Sequence, residues 1–442
     1  MRGFLKIFVY LSNIMKIGIV GTGKLGLPVS FYYATKGHDI YCYDINPNFY
    51  VDPYRNINKI HNEELSPNLD ESLINWLMKY ESLSHKFTDL ETIVNECDLI
   101  FVAIQTPHNK EYEGITRLPE ERIDFDYTYL INGIQQLTVV ANKLQKNIPV
   151  IIISTVLPGT IRREILPLLS KYIKLCYNPY FIAMGTVAKD CQDPEFILLG
   201  NHDHNTSQLV TDFYKTICSA PVFSTTIENA ELIKVCYNTF ISTKIAMANT
   251  IMEIAHYCPN TNCDTVIDAL SLATNRLISP TYLRGGMGDG GGCHPRDNIA
   301  LSWLSKKLGL QYDWFESIML AREKQTDFLA NLIIENHNKY NLPIFILGES
   351  FKKNTAIKTG SPAILLENIL TEKNIPFFSS DPYFTKDIPK EKGIYFIGCC
   401  HDIFNSYTLP EGSILIDPFR KYNSLLTTGV YIPVGIGSTP KD

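Results

Sequence analysis

The 442-residue chain holds no run of about 18 uninterrupted apolar residues, the length a membrane-crossing helix needs. Its N-terminal MRGFLKIFVYLSNI starts basic and turns apolar. That run is too short to span a bilayer, no small-residue cleavage site follows, and a strand pattern begins at Lys16. Residues 1–14 read as a short extension before an alternative start at Met15. A basic excess is also missing: the formal net charge of -6 argues against a nucleic-acid or anionic-membrane partner, so any cationic site is local. The 11 cysteines are odd in number and form no CxxC pair, which argues against a disulfide framework or a metal site and for reduced thiols in a cytoplasmic protein. Low-complexity tracts and short repeats are absent.

What is present is length for about three domains and enough apolar residues, 45%, for several cores. Residues 16–20, KIGIV, enter Gly21, Gly23, Lys24, Leu25 and Gly26 in a GxGxxG pattern, after which LPVSFYYATKG reads as a helix. Strand, glycines and helix in that order form a dinucleotide fingerprint, with the helix N-terminus facing a pyrophosphate. The next strand, at 38–44, ends in Asp44, 18 residues beyond Gly26. A carboxylate there accepts adenosine ribose hydroxyls and repels a 2′-phosphate, which favours NAD over NADP. Strands at 97–104 and 147–155 end in Thr106-Pro107 and in Thr155, placing hydroxyls where open parallel sheets bind ligands.

From 227 to 256 a long helical run contains neither Gly nor Pro, and Thr226 or Asn229 can cap it. Glu231, Lys234 and Asn238 fall on one face of it, though alone they are ordinary polar helix residues. Residues 284–297 read R-G-G-M-G-D-G-G-G-C-H-P-R-D. Glycines at this density let backbone approach a ligand and leave N–H groups for anionic oxygens. Cys293 beside His294 and Arg296 has the positive surroundings of a nucleophile. A glycine-rich turn with an incidental cysteine explains the stretch equally well when it is read alone. After further helices, four apolar strands alternating with helical material, near 342–348, 374–382, 392–400 and 413–418, describe a second parallel sheet. The sequence thus predicts an α/β protein: two Rossmann-like parallel-sheet domains joined by an all-helical middle domain with a long connecting helix. The expected boundaries are 15–224, 225–325 and 326–442.

In this order the motifs KIGIVGTGKLGLP, IQTP, STVLPGT, YNPYFIAMG, AELIKVCYN, GGGCHPRD, GESFKKNT and SDP resemble the UDP-glucose/GDP-mannose dehydrogenase family of NAD-dependent nucleotide-sugar 6-dehydrogenases. The resemblance implies that a sugar C6 alcohol is oxidised twice, with Cys293 attacking the intermediate aldehyde and passing through a thiohemiacetal to a thioester. Lys234 and Asn238 would stabilise the oxyanion, Asp297 would order water or move a proton, and Thr155 would lie near the nicotinamide. Arg296 is implied beside the cofactor. Tyr180, Phe181, Tyr282, Leu283, Arg284, Gly285 and Gly288 would line the nucleotide sugar. Phe351 and Lys352 would close over it, and Arg276 would reach it across a homodimer, or higher homo-oligomer, interface. The resemblance also makes 15–224 the NAD-binding domain, 225–325 the dimerisation domain and 326–442 the nucleotide-sugar domain.

The chain departs from the family pattern in three places. Tyr180 and Met184 stand where relatives carry glutamates, and neither side chain is a carboxylate base. Thr359 replaces an arginine directed to the cofactor, with Lys358 beside it. His294 replaces an apolar residue and reads as a contact to backbone more readily than as a proton shuttle. Arg296 resembles the lysine of the glucose and mannose enzymes, so UDP-glucose is the expected substrate, with UDP-N-acetylhexosamine or GDP-mannose as alternatives. A nucleotide-sugar and NAD-binding relative deficient in turnover is a second reading. A hydroxyacid dehydrogenase of the 6-phosphogluconate type is a third, but it leaves the cysteine loop and the last α/β domain unexplained.

Overall fold

The computed structural model describes residues 14–46, 84–183, 186–385 and 387–437. The expected extension up to residue 13 and Met184 lie outside the described residues. The chain divides into two compact units, Met1–Pro107 with Phe125–Val235, and His108–Asp124 with Cys236–Asp442.

Among the described residues of the first unit, eight strands form one sheet: β1 (Lys16–Val20), β2 (Asp39–Tyr43), β3 (His85–Phe87), β4 (Leu99–Val102), β5 (Ile148–Ile152), β6 (Ile173–Tyr177), β7 (Ile197–Asn201) and β8 (Val222–Thr226). Their order is β3-β2-β1-β4-β5-β6-β7-β8. The first six run parallel in the doubly wound order that puts a ligand crevice between β1 and β4. β7 pairs antiparallel with β6, and β8 parallel with β7, so the sheet is not parallel throughout. β4 reads LIFV and is buried along its whole length, as a strand covered on both faces must be. Ile17, Ile19, Ile40, Phe101 and Ile151 pack with Leu27, Phe31 and Tyr32 of the Gly26–Thr35 helix, each burial being worth roughly 1.5–3 kcal/mol. The strands expected at 38–44, 97–104 and 147–155 are shorter than their apolar stretches, because the residues at their carboxyl ends leave the ladder as loops. β3, β6 and β8 escaped the sequence pattern. β3 has three residues, and β8 is a half-exposed edge whose VFSTT lacks alternation.

The helix Ile227–Tyr257 begins in the first unit and continues into the second. Thr226 Oγ1 accepts from the Asn229 amide at 3.3 Å and so supplies the cap. The helices Cys263–Ser271, Thr274–Leu277, His294–Leu308 and Trp314–Tyr340 follow. The last is capped by Asp313, which accepts from the Glu316 amide, and it ends at Asn341 in the left-handed region.

The second sheet holds five parallel strands in the order β10-β9-β11-β12-β13: β9 (Ile344–Leu347), β10 (Phe378–Ser380), β11 (Ile394–Ile397), β12 (Ser413–Asp417) and β13 (Gly429–Pro433). Four were expected. β13 was missed because Gly429 and Pro433 bound it like a turn, yet it pairs with β12 from Ser413↔Gly429 to Asp417↔Pro433. Phe328, Leu329 and Ile333 of the Trp314–Tyr340 helix share a core with Ile344, Ile346, Ile394 and Ile414. The His108–Asp124 strap belongs to this unit: Arg117 meets Asp327 at 2.9 Å and Glu372 at 2.7 Å, and Arg122 meets Glu316 at 2.7 Å. Among the described residues no helix is long and apolar enough to cross a membrane, and no group of three or more His, Cys, Asp or Glu could hold a metal ion.

Candidate functional site

In the first unit the three glycines of the fingerprint do different work. Gly21 has φ +93, donates its N–H to the Tyr43 carbonyl at 2.9 Å, and has no room for a Cβ beside the Ala103 carbonyl. A Cβ on Gly26 would collide with the Gly21 carbonyl, whereas one on Gly23 would meet nothing within 4 Å. Gly23 therefore faces open space, with Lys24 exposed and Leu25 half-buried beside it. Leu25 caps the helix without a side-chain hydrogen bond, so no side-chain cap competes with an anion for the first-turn amides. At the end of β2, Asp44 Oδ2 accepts from the Thr22 amide at 2.8 Å and Oδ1 from the Asn46 amide at 2.9 Å. That pins the carboxylate beside the glycine turn. These residues fit a dinucleotide: a close-approach glycine, uncapped amides and a fixed acid.

The loops after β4 and β5 are tied together. Thr106 Oγ1 donates to the Thr155 carbonyl at 2.7 Å, and the Pro107 carbonyl accepts from the Asp126 amide at 2.8 Å. Glu231 accepts from the Gly159 amide at 2.6 Å and the Ile161 amide at 2.8 Å. Burial pushes its carboxyl up to about 7, against the pull of those two amides. One turn further along the helix, Lys234 is buried with Nζ 5.0 Å from the centre of the Phe181 ring. Phe181 in turn packs on Phe196.

Tyr180 does something that the spacing of its motif does not reveal. Its hydroxyl bonds to Tyr33 and, at 2.8 Å, to Tyr214, whose own hydroxyl donates to Asn178 Oδ1 at 2.5 Å. Burial raises the Tyr180 phenol well above its ordinary value. The phenol is thus committed to a structural network.

In the second unit Cys293 is half-buried at the N-cap of the His294–Leu308 helix, and its carbonyl accepts from the Asp297 amide at 2.8 Å. Pro295 in the first turn presets that helix start. Asp297 is fully buried. Arg296 donates to its Oδ1 through Nε at 3.0 Å and Nη2 at 2.9 Å, and Asn238 donates to its Oδ2 at 2.6 Å. His294 Nδ1 lies 3.3 Å from the Asn238 carbonyl and 3.3 Å from Ser242 Oγ, a contact to backbone and hydroxyl. The glycine run is fastened from below: Asn249 accepts from the Gly286 amide at 2.9 Å, and Gln325 donates to the Gly286 carbonyl at 3.0 Å. A Cβ on Gly291 would strike the Phe351 ring at 2.9 Å, so Phe351 lies against the run, with Lys352 next to it and half-buried. Thr359 reaches Gly292, since a Cβ there would stand 3.8 Å from its Cγ2. Lys358 pairs with Glu349 at 2.9 Å.

Arg276 is exposed, and Tyr282 is 47% exposed with φ +67. Arg284 is exposed and bonds to Asp268 at 2.5 Å. Leu283 is buried with Ala248 and Ile267, and Gly285 is buried against Met252. A Cβ on Gly288 would stand 3.1 Å from Arg322 Cγ. Sequence reasoning missed Asp289, Ser242 and Arg322. A single acid within the glycine run was the available signal.

Family models describe two parts of this chain: the UDP-glucose/GDP-mannose dehydrogenase NAD binding domain over residues 15–218 and the central domain of the same family over 228–323. The chain is 25% identical over 384 residues to the UDP-glucose 6-dehydrogenase TuaD of Bacillus subtilis, covering 83% of this chain and 76% of that one. It is 26% identical to a GDP-mannose 6-dehydrogenase of Pseudomonas aeruginosa, covering 81% and 79%. With a UDP-glucose 6-dehydrogenase of Rhizobium meliloti it shares 25%, covering 93% and 91%. The UDP-glucose dehydrogenase structure from Pyrobaculum islandicum shares the fold at TM-score 0.78 and 21% identity, covering 96% of this chain and 98% of that one. On the two family models, and with the fingerprint geometry above, the chain belongs to the UDP-glucose/GDP-mannose dehydrogenase family and is an NAD-dependent oxidoreductase.

Proposed function

We propose that the protein oxidises the C6 alcohol of a nucleotide sugar to a carboxylate in two steps through a thioester on Cys293, with UDP-glucose as substrate and UDP-glucuronate as product. The observation that carries this reading is the Asn238–Asp297–Arg296 cluster in the first turn of the helix that Cys293 caps. Bound NAD supplies the hydride acceptor for both oxidations. The Cys293 sulfur adds to the aldehyde carbon, and the resulting oxyanion is held by the Lys234 ammonium and the Asn238 amide. Loss of hydride from that carbon leaves the thioester, and water cleaves the carbon–sulfur bond to release the acid. Asp297 has both oxygens occupied, so its part is to aim the Asn238 amide and to hold Arg296. Thr106 and Thr155 order the strand ends beside the nicotinamide, and Asp44 takes the adenosine ribose.

Residues 15–224 are assigned to the cofactor, 225–325 to the cysteine loop and dimerisation, and 326–442, with Phe351 and Lys352, to the nucleotide sugar. A homodimer is supported by Phe240, Met247 and Ile254. These are 69%, 58% and 57% exposed and recur every seven residues along one side of the long helix. Arg276, exposed nearby in sequence, is then available to a second copy. The test is an NADH assay over UDP-glucose, GDP-mannose and UDP-N-acetylhexosamines. Two NADH per UDP-glucose are expected. No reduction with any of these sugars overturns the proposal. Two NADH per Cys293 without further turnover, with an acyl adduct on Cys293 by mass, mark a stalled thioester instead, a reading that the Tyr180 hydroxyl, bonded to Tyr33 and Tyr214, favours.

A further inference from the structure

Asp289 is the one acid inside the glycine run 285–292, and it is buried. Ser242 Oγ donates to its Oδ2 at 2.5 Å, and Arg322 Nε stands 2.8 Å from its Oδ1. The aligned hydrogen bond from that Nε goes to the Asp289 carbonyl at 3.0 Å, so Oδ1 is held by charge rather than by a directed bond. Arg322 is itself buried. Its Nη1 donates to the Gly114 carbonyl at 2.5 Å and its Nη2 to the Gly360 carbonyl at 3.1 Å. One guanidinium thus joins the His108–Asp124 strap, the glycine run and the turn before the Pro362–Glu372 helix. Burial pulls Arg322 below its ordinary value while Asp289 opposes this, and a guanidinium stays charged in either case.

We propose that Arg322 and Asp289 are the positioning pair of the cysteine loop, setting the height of the glycine run on the long helix so that Cys293 meets its reacting carbon. The proposal rests on Cys293 being the nucleophile. Glycines surrender more chain entropy on ordering than other residues, so six of them ahead of Cys293 need an anchor. Both ends of the run dock on one face of the long helix. Asn249 holds Gly286, Ser242 holds Asp289, and Asn238 holds Asp297, at helix spacings of seven and four residues. Between Asp289 and Cys293 lie three glycines without side chains to hold. A Cβ on Gly290 would stand 2.8 Å from the Gly360 carbonyl. Arg322 grips both Asp289 and that carbonyl, closing the gap from each side. Lysine carries the charge without the fork and cannot make these bonds together.

Arg322→Lys and Asp289→Asn are compared with the wild type in full-length protein by steady-state kinetics, by the rate of Cys293 carbamidomethylation with iodoacetamide followed by peptide mass, and by thermal melting. The expected result is a fall in kcat on the order of 10²-fold, with KM for NAD held within about twofold. The carbamidomethylation rate shifts by at least about threefold, and the double variant loses no more than the worse single variant. Unchanged kcat and alkylation with only a lower Tm overturns the proposal. Should Arg322→Lys fail to fold, Asp289→Asn decides alone by the same readouts. If the wild type reduces no NAD with any nucleotide sugar, the proposed function fails, while the alkylation comparison still decides the positioning claim.

Discussion

Asn238 donates its side-chain amide to Asp297 at 2.6 Å across 59 residues of sequence, and Arg296 grips the other oxygen of the same carboxylate. Asp297 therefore decides which way the Asn238 amide points. Asp297→Asn replaces one acceptor oxygen with an NH2 group that faces a donor. The expected outcome is a loss in kcat of roughly 10²–10³-fold, the range for one misdirected oxyanion donor, with KM for the nucleotide sugar changed far less. Steady-state kinetics checks it.

Cys293→Ser is expected to abolish uronate formation while leaving the melting temperature within about 2 °C, because a half-buried loop thiol contributes little packing. Product analysis by mass spectrometry and a thermal melt provide the check. A hydroxyacid dehydrogenase would keep its activity.

Glu231 gives a pH signature. Its folded value, about 7, lies above the ordinary carboxylate value of about 4.3, so the folded state binds more protons between the two. Its stabilising contribution is complete below about pH 4.3 and is lost as pH rises through 7, by on the order of 3 kcal/mol. Glu231→Gln should flatten this decline. Urea midpoints at pH 5 and pH 7.5 measure it, and equal slopes for the two proteins would refute the assignment.

Asp44→Ala removes the acid that the Thr22 and Asn46 amides pin beside the glycine turn. KM for NAD should rise about tenfold or more as charged hydrogen bonds to the ribose are lost, while discrimination against NADP relaxes. Paired titrations with the two cofactors measure the ratio.

Met247→Glu puts a charge in the exposed apolar stripe of the long helix. Light scattering is expected to show a dimer for the wild type and a monomer for the variant at micromolar concentration. A monomeric wild type sinks the dimer.

The glycine fingerprint, Asp44, the long helix and the cysteine loop were legible because each is written in adjacent residues. A GxGxxG turn, a capped helix start and a glycine-dense loop follow from local backbone preference. The edge strands β3, β8 and β13 were not, because edges need no alternating pattern. Tyr180 shows another limit. Its place in the motif pointed at substrate, while its hydroxyl is spent on Tyr33 and Tyr214.

By itself the sequence determined two α/β regions around a helical middle, the dinucleotide fingerprint and the candidate nucleophile, since these depend on local chemistry and on the periods of helix and strand. Only the tertiary structure decided that Asp297 aims Asn238, that Glu231 holds the loop after β5, and that Arg322 clamps Asp289 together with the Gly114 and Gly360 carbonyls. The physical reason is that a buried hydrogen bond or ion pair joins residues brought together by packing. Neither spacing nor composition records which distant partner a buried charge will meet.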